Sequence, residues 1–71
     1  MIEIGDIYSH NAVTFVVQVL KIDLLDGEML YCKILDAYHE FAITYPIGST
    51  YILNAKLLYL YKKINTVPIA V

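Results

Sequence analysis

Residues 12–37 read AVTFVVQVLKIDLLDGEMLYCKILDA, and this stretch decides the fold of the chain. In its first half, apolar residues alternate with a mixed set, which is the pattern of a β-strand with one buried face. The apolar positions are Val13, Phe15, Val17 and Val19. Asp26 and Gly27 are the favoured pair for a two-residue turn between antiparallel strands. The stretch therefore predicts a long β-hairpin, with strands at residues 12–25 and 28–37.

The apolar pattern changes sides within the first strand of this hairpin. If Leu25 pairs with Glu28 across the turn, counting back along the strands assigns every residue to a face. One face then carries Phe15, Val17, Val19, Cys32 and Ile34, and the other carries Leu20, Ile22, Leu24, Met29 and Tyr31. In a flat hairpin the apolar residues stay on one face along the whole length. We expect a strongly coiled ribbon with a β-bulge near Leu20, where the apolar face switches.

Shorter elements are predicted on both sides of the hairpin. Residues 2–8 contain Gly5-Asp6 and lead into a first strand. After a connection at residues 38–40, we expect a fourth strand at 41–45, a turn at 46–49 and an extended segment at 50–53. Asn54 is a suitable cap for a single helical turn at residues 55 and 56. The last strand is predicted at residues 57–62.

This order of elements resembles that of SH3-like barrels, including Tudor-type and KOW-type modules, over about residues 3–63. The shared features are strands at roughly ten-residue spacing, a long bent hairpin, a one-turn helix before the final strand, and Gly5-Asp6 before the first strand. The resemblance implies an all-β domain: a small SH3-like barrel of about five strands over residues 1–64, followed by an apolar tail at 65–71. In such barrels, aromatic residues beside the loops often build a peptide groove or a cage for methylated cations. An OB-type barrel is the alternative, and it normally contains a longer helix between strands three and four.

The composition predicts that apolar side chains remain on the surface of this domain. Of the 71 residues, 59% are hydrophobic and 17% are charged, against a usual charged fraction of about 25%. A domain of this size buries only about 60% of the surface of its unfolded chain. Exposed apolar patches usually mark interfaces. We therefore expect a homo-oligomer, with the tail paired to an edge strand of a neighbouring subunit.

The sequence favours a cytoplasmic location. The longest nearly apolar stretch, residues 12–20, is interrupted by Thr14 and Gln18, whereas a membrane-spanning helix needs about 20 apolar residues. The first residues lack the positive start and apolar middle of a signal peptide.

No arrangement of residues points to catalysis, and we expect no enzyme, no cofactor and no metal site. Cys32 is the single cysteine, which excludes an intramolecular disulfide and zinc sites built on paired cysteines. His10 and His39 are the other soft metal ligands. Lys33 adjoins Cys32 but points to the opposite face of a strand, so an inert, buried thiol is expected. Phosphate-binding loops and nucleophile elbows are missing from the sequence.

Tyrosine is the most informative residue type, with seven in the chain. A tyrosine combines a large apolar ring with a hydroxyl group, which suits it to interfaces. Tyr59 and Tyr61 share a face of the predicted last strand. We predict a partner-binding surface from Tyr8, Tyr31, Tyr38, Tyr59 and Tyr61. The alternative is that these rings are ordinary half-buried filler of a β-domain.

Two charged clusters give further hypotheses. Lys56, Lys62 and Lys63 flank Tyr59 and Tyr61, and such interleaving can hold phosphates and stack bases. The net charge of −2 argues against a general electrostatic grip on nucleic acid. Asp23, Asp26 and Glu28 form an acidic hairpin tip, which either contacts a basic partner or serves solubility and turn formation.

The leading hypothesis is a non-enzymatic protein-interaction module, acting as a homo-oligomeric small adaptor or inhibitor of a larger protein. From the small size and the many Ile and Tyr residues we expect an origin in a virus or mobile element, where small inhibitors are common. One alternative is single-stranded nucleic-acid binding through the Tyr/Lys patch. The other is capture of a small ligand, such as a nucleotide, at a subunit junction.

Overall fold

A computed structural model describes residues 2–23, 25 and 28–69 as one antiparallel sheet with two short helical segments. The strands follow the order β4-β3-β2-β1-β5 across the sheet. The elements are β1 (Asp6–His10), β2 (Phe15–Asp23), β3 (Met29–Ala37), α1 (His39–Thr44), β4 (Thr50–Asn54), a 3-10 helix (Ala55–Leu60) and β5 (Tyr61–Thr66). The prediction of an all-β domain with five strands and a helical turn before the last strand is confirmed.

The predicted core face of the hairpin is also confirmed. Phe15, Val17 and Val19 of β2 are buried, and so are Cys32 and Ile34 of β3. Tyr8, Leu30, Ala37 and Leu53 complete the buried cluster. Burial raises the pKa of the Cys32 thiol to about 11. This thiol is therefore protonated at neutral pH and serves as a small apolar side chain.

The predicted bulge lies where the apolar pattern changes sides. Val19 pairs with Cys32 and Lys21 pairs with Tyr31, so Leu20 is the extra residue on β2. The bulge turns Ile22 back to the core side, where it pairs with the buried Leu30 and packs against the core.

The predicted second apolar face is therefore wrong. Leu20 is an extra residue on β2 alone, so Leu30, Cys32 and Ile34 of β3 stay on the core side, and Met29 and Tyr31 lie half-buried on the other side. A separate register shift between Val16 and Val17 makes Leu35 an extra residue on β3. Leu20 is exposed, and Leu24 lies outside the described residues.

The hairpin connection also differs from the predicted pairing of Leu25 with Glu28. The last pair of the ladder is Asp23 with Met29, one residue out of the predicted register, in which Asp23 would pair with Leu30. The Glu28 N–H donates to the carbonyl of Asp23 over 3.3 Å, and Glu28 has a φ of 136°. Asp26 and Gly27, on which the predicted two-residue turn rested, lie outside the described residues.

The predicted strand at residues 41–45 is a helix instead. The N–H groups of Phe41 and Ala42 donate to the carbonyl of Tyr38 over 2.8 and 2.9 Å, which starts α1. Glu40 lies in its first turn, where a negative charge complements the helix dipole. The position beside β3 is taken by β4.

The predicted last strand begins too early. The Asn54 side chain accepts a hydrogen bond from the Lys56 N–H over 2.9 Å, which confirms the predicted cap. The 3-10 helix then continues to Leu60, so β5 begins at Tyr61 and runs to Thr66, two residues into the predicted tail.

Gly5 joins the start of the chain to β2 and to the segment after β5. Its N–H donates to the Val19 carbonyl over 2.8 Å, and its carbonyl accepts from the Val67 N–H over 3.1 Å. Its φ is 97°, and a Cβ at this position would overlap the carbonyl oxygen of Val67. Only glycine meets both conditions. The Gln18 carboxamide adds hydrogen bonds to the carbonyls of Gly5 and Val67. Val67, in the predicted tail, thus contacts its own chain.

Asp6 is a fully buried carboxylate that fastens β1 to β5. It accepts hydrogen bonds from the Glu3 N–H (2.9 Å), the Thr66 hydroxyl (2.7 Å) and the Tyr8 hydroxyl (3.3 Å), and lies 3.3 Å from Lys63 Nζ. Burial alone raises the pKa of Asp6, but the bonds from Glu3, Thr66 and Lys63 outweigh it and hold the pKa below its usual value. Asp6 is therefore ionised at neutral pH.

No helix in residues 2–23, 25 and 28–69 combines the length and the apolar character that crossing a membrane requires.

Candidate functional site

An aromatic pocket lies at the end of the sheet where β1 ends and β5 begins. The loop between β1 and β2 and the connection between β3 and β4 meet there. The pocket has a volume of about 190 Å³. It is lined by five aromatic residues together with a histidine and a valine: Phe15, Phe41, Tyr45, Tyr51, Tyr61, His10 and Val13.

The rings of this pocket hold one another edge to face. Phe15 and Tyr51 have ring centroids 5.0 Å apart with an interplanar angle of 80°, and Tyr45 and Tyr51 are 5.5 Å apart at 89°. Edge-to-face contacts are the preferred geometry of aromatic pairs. Phe15 is buried, whereas Phe41 and Tyr45 are 37% and 41% exposed. Phe15 therefore forms the base of a preformed pocket, and the other two rings form its rim.

The polar groups of the aromatic pocket are one imidazole and three phenol hydroxyls, and its lining contains no Asp, Glu, Lys or Arg. The His10 ring packs edge-on against Tyr61 with centroids 5.0 Å apart. His10 Nδ1 accepts a hydrogen bond from the Ala12 N–H over 3.0 Å, so neutral His10 carries its proton on Nε2. Burial, aided by a hydrogen bond with Tyr51, raises the pKa of Tyr61 to about 12. The pocket therefore presents aromatic rings together with hydroxyl and imidazole groups that can form hydrogen bonds.

A second cavity of about 350 Å³ continues the aromatic pocket. Its lining is Ala12, Val13, Thr14, Tyr38, Glu40 and Phe41. Val13 and Phe41 line both cavities, so the two form one continuous depression, called the aromatic groove below. Tyr38 and Phe41 meet edge to face with centroids 6.2 Å apart. Glu40 is the one formally charged side chain in the lining of the two cavities.

The apolar surface extends beyond the aromatic groove along the connection between β3 and β4. Ile43 of α1 is 83% exposed, and Ile47 is 58% exposed. Large apolar side chains gathered around a depression are characteristic of interaction sites.

The structure brings two of the five predicted partner-binding tyrosines, Tyr38 and Tyr61, into the aromatic groove. Tyr8 is 7% exposed, and its hydroxyl donates to Asp6, so it belongs to the core. Tyr31 lies on β3 with Lys21 Nζ 5.6 Å from its ring centroid. Tyr59 is 76% exposed on the 3-10 helix. The prediction that Tyr59 and Tyr61 share a strand face is wrong, since only Tyr61 lies on β5.

The predicted basic-aromatic patch is divided among several elements. Lys56 lies in the first turn of the 3-10 helix, whereas Lys62 and Lys63 lie on β5. The ammonium group of Lys63 is 3.3 Å from the buried Asp6 carboxylate, so its charge is already compensated. The Tyr61 ring packs edge-on against His10 and lines the aromatic pocket, so it belongs to that pocket and not to a lysine patch.

At the predicted acidic hairpin tip, Asp23 and Glu28 accept hydrogen bonds from backbone N–H groups of the same chain. Asp23 Oδ1 accepts from the Leu25 N–H over 3.0 Å, and the Glu28 carbonyl accepts from the Ala55 N–H over 2.7 Å. Leu25 is fully exposed between them. Asp26 lies outside the described residues.

The sequence pattern does not predict most residues of the aromatic groove. Phe15 was assigned to the core alone, and Tyr45 and Tyr51 were not selected. One signal was available: Phe41 and Tyr45 are four residues apart, which places them on the same side of a helix. Reading residues 41–45 as a strand concealed this relation.

Potential metal ligands do not converge in the part of the chain that the structure describes, where no group of three or more His, Cys, Asp or Glu side chains is found. Cys32 lies in the core, whereas His10 lines the aromatic pocket and His39 lies on α1 beside Tyr38.

The chain matches no protein-family model, no curated protein sequence and no solved structure.

Proposed function

We propose that this chain is a non-enzymatic protein-interaction module that binds a segment of a larger protein in the aromatic groove, as a small adaptor or inhibitor. The observation that carries the proposal is the preformed aromatic pocket of about 190 Å³. An apolar cavity of about 150 Å³ is large enough for a benzene molecule. The pocket therefore suits one aromatic or branched aliphatic side chain.

The energy of such a contact is appropriate for a recognition site. Full burial of a Leu or Phe side chain contributes about 1.5–3 kcal/mol, and each 1.4 kcal/mol changes affinity about tenfold. The rings already hold one another in place, so binding requires little ordering of the site, and this favours affinity. The exposed apolar residues around the groove add contact area for the same partner.

The proposal is tested by changing the rim of the groove without touching the core. Peptides are first selected from a random phage-displayed library on the full chain and then labelled for fluorescence polarisation. Phe41→Ala removes a ring shared by both cavities and should weaken binding about tenfold or more. Ile64→Ala is the matched control, because Ile64 is an exposed apolar residue on β5 that lines neither cavity.

Two outcomes of this selection oppose the proposal. One is the absence of any enriched peptide. The other is binding that Phe41→Ala leaves within twofold of the unsubstituted chain, which would place the peptides on another surface.

We also propose that the chain self-associates, and the edge of β4 is the best-suited surface. The other edge strand, β5, carries Lys62 and Lys63, and lysines on an edge discourage pairing with another strand. The sequence of β4, TYILN, has no charge, and its central Ile52 is 55% exposed. A two-fold pairing of β4 with its copy would place each Ile52 against the other.

Single-stranded nucleic acid remains the alternative partner. Such binding would depend on Lys56, Lys62 and Tyr59, since Lys63 and Tyr61 are engaged elsewhere. Two free lysines would give a shallow dependence of affinity on salt, and no feature of the groove favours phosphate.

A further inference from the structure

The two cavities of the aromatic groove differ in charge. The lining of the aromatic pocket contains no Asp, Glu, Lys or Arg, whereas the second cavity carries the Glu40 carboxylate beside the rings of Tyr38 and Phe41. An apolar side chain of a partner suits only the aromatic pocket. The second cavity suits a group that can lie next to a carboxylate.

Glu40 is exposed, and within the described residues it forms no salt bridge. A partner that covered this carboxylate with an apolar group would remove water from a charge that no cationic side chain among the described residues pairs with, which is costly. A partner that placed Asp or Glu there would meet like-charge repulsion. A cationic group avoids both penalties, because it supplies the opposite charge at the place where water is removed.

The walls of the second cavity also suit the stem of a basic side chain. Lys and Arg have long aliphatic stems that pack on apolar surface while the charged head remains near water or a counter-ion. Val13 and Phe41 offer such a surface, and Tyr38 adds a ring on which a guanidinium or ammonium group can lie. A volume of about 350 Å³ gives room for this longer side chain.

We propose that the aromatic groove recognises a segment in which an apolar side chain stands close to an Arg or Lys. The apolar side chain occupies the aromatic pocket, and the cation lies against Glu40 in the second cavity. This inference rests on the proposed function and gives the partner its chemistry: a basic-apolar peptide segment.

The test uses the full chain and three variants of it. Random peptides displayed on phage are selected in parallel on the unsubstituted chain and on Glu40→Gln, which removes the charge and keeps the shape. Glu3→Gln is the matched control, since Glu3 is an exposed carboxylate that lines neither cavity of the groove. Phe41→Ala reports whether a selected peptide binds in the groove at all.

The proposal predicts that peptides enriched on the unsubstituted chain carry Arg or Lys near an apolar residue, and that this bias is lost on Glu40→Gln. For a synthetic version of one such peptide, Glu40→Gln should weaken binding about fivefold to twentyfold, and Glu3→Gln less than twofold. Replacing the peptide's basic residue with Ala should cost about the same on the unsubstituted chain and little on Glu40→Gln. This is the signature of a direct pair in a double-mutant cycle.

The remaining outcomes separate this inference from the proposed function. Peptides that depend on Phe41 but show no basic bias and no response to Glu40→Gln would overturn the inference and leave the groove as a binding site. Peptides that ignore Phe41→Ala, or no enriched peptides, would overturn both.

Discussion

Alanine substitutions at Gly5 and Gly48 should lower the free energy of unfolding by very different amounts, although the two glycines have nearly the same backbone conformation. Gly5 has a φ of 97° and Gly48 a φ of 91°. Alanine in the left-handed region costs about 1–2 kcal/mol through its Cβ, and this cost is common to both sites. Gly48 has no other atom within 4 Å of the new Cβ, whereas at Gly5 the Cβ would overlap the Val67 carbonyl.

The additional cost at Gly5 follows from the hydrogen bonds made there. To accommodate the Cβ, the backbone must separate from Val67, which breaks the Val67 N–H to Gly5 carbonyl bond and strains the Gly5 N–H to Val19 carbonyl bond. Each such bond contributes about 1 kcal/mol. We therefore expect Gly5→Ala to lower the free energy of unfolding by about 3–4 kcal/mol, against about 1–2 kcal/mol for Gly48→Ala.

Urea denaturation followed by far-UV circular dichroism measures this difference, with both variants at one protein concentration and the slopes of the transitions compared. Equal destabilisation by the two substitutions would refute the reasoning, because it would mean that the contact between Gly5 and Val67 contributes nothing to stability. A Gly5→Ala variant too unstable to fold would still agree with it, provided that Gly48→Ala folds.

Two further predictions follow from the buried carboxylate and the uncharged edge strand. The pKa of Asp6 is lower in the folded chain than its ordinary value of 3.8, so its contribution to stability is present above that value and is lost as pH falls through the folded pKa. Asp6→Asn should destabilise the chain by about 2–4 kcal/mol at pH 7, and this loss should become smaller as the pH is lowered below 3.8, as measured by urea titrations over a series of pH values; a loss that stays constant over the series would contradict this. Ile52→Lys should convert an oligomer held together by β4 edges into monomers by light scattering, whereas Ile64→Lys on β5 should leave the mass unchanged; a mass indifferent to Ile52→Lys would exclude this interface.

The hairpin shows which parts of the fold the sequence pattern predicts correctly. Period-two alternation predicts the buried residues Phe15, Val17, Val19, Cys32 and Ile34, and the change of side near Leu20 predicts the bulge. The wrong faces after the bulge came from assuming that both strands switch. A bulge adds a residue to one strand only, so the partner strand keeps its alternation, and no local pattern reveals which strand carries it.

The aromatic groove was less predictable, because it depends on a helix that strand-like residues form. Phe41, Ile43 and Tyr45 have side chains that favour strands, and their alternation with Ala42 and Thr44 reinforces that interpretation. These residues form a helix nevertheless, because β4 pairs with the edge of β3 at which a strand at 41–45 would lie. The pocket also combines Tyr51 of β4 with Tyr61 of β5, although these strands form opposite edges of the sheet. The two side chains meet because the sheet curls, and periodicity does not specify this.

The contact between Gly5 and Val67 determines the place on this domain at which another protein segment can be joined. Asp6 lies beside Thr66 at one end of the β1–β5 pair, and His10 lies beside Tyr61 at the other end, where the aromatic groove opens. A tether, tag or second domain attached before Gly5 or after Val67 would therefore leave from the end of the sheet away from the groove. With both attachment points side by side, the domain can be fused at either terminus, or inserted into a loop of a host protein, and still present its aromatic face outward.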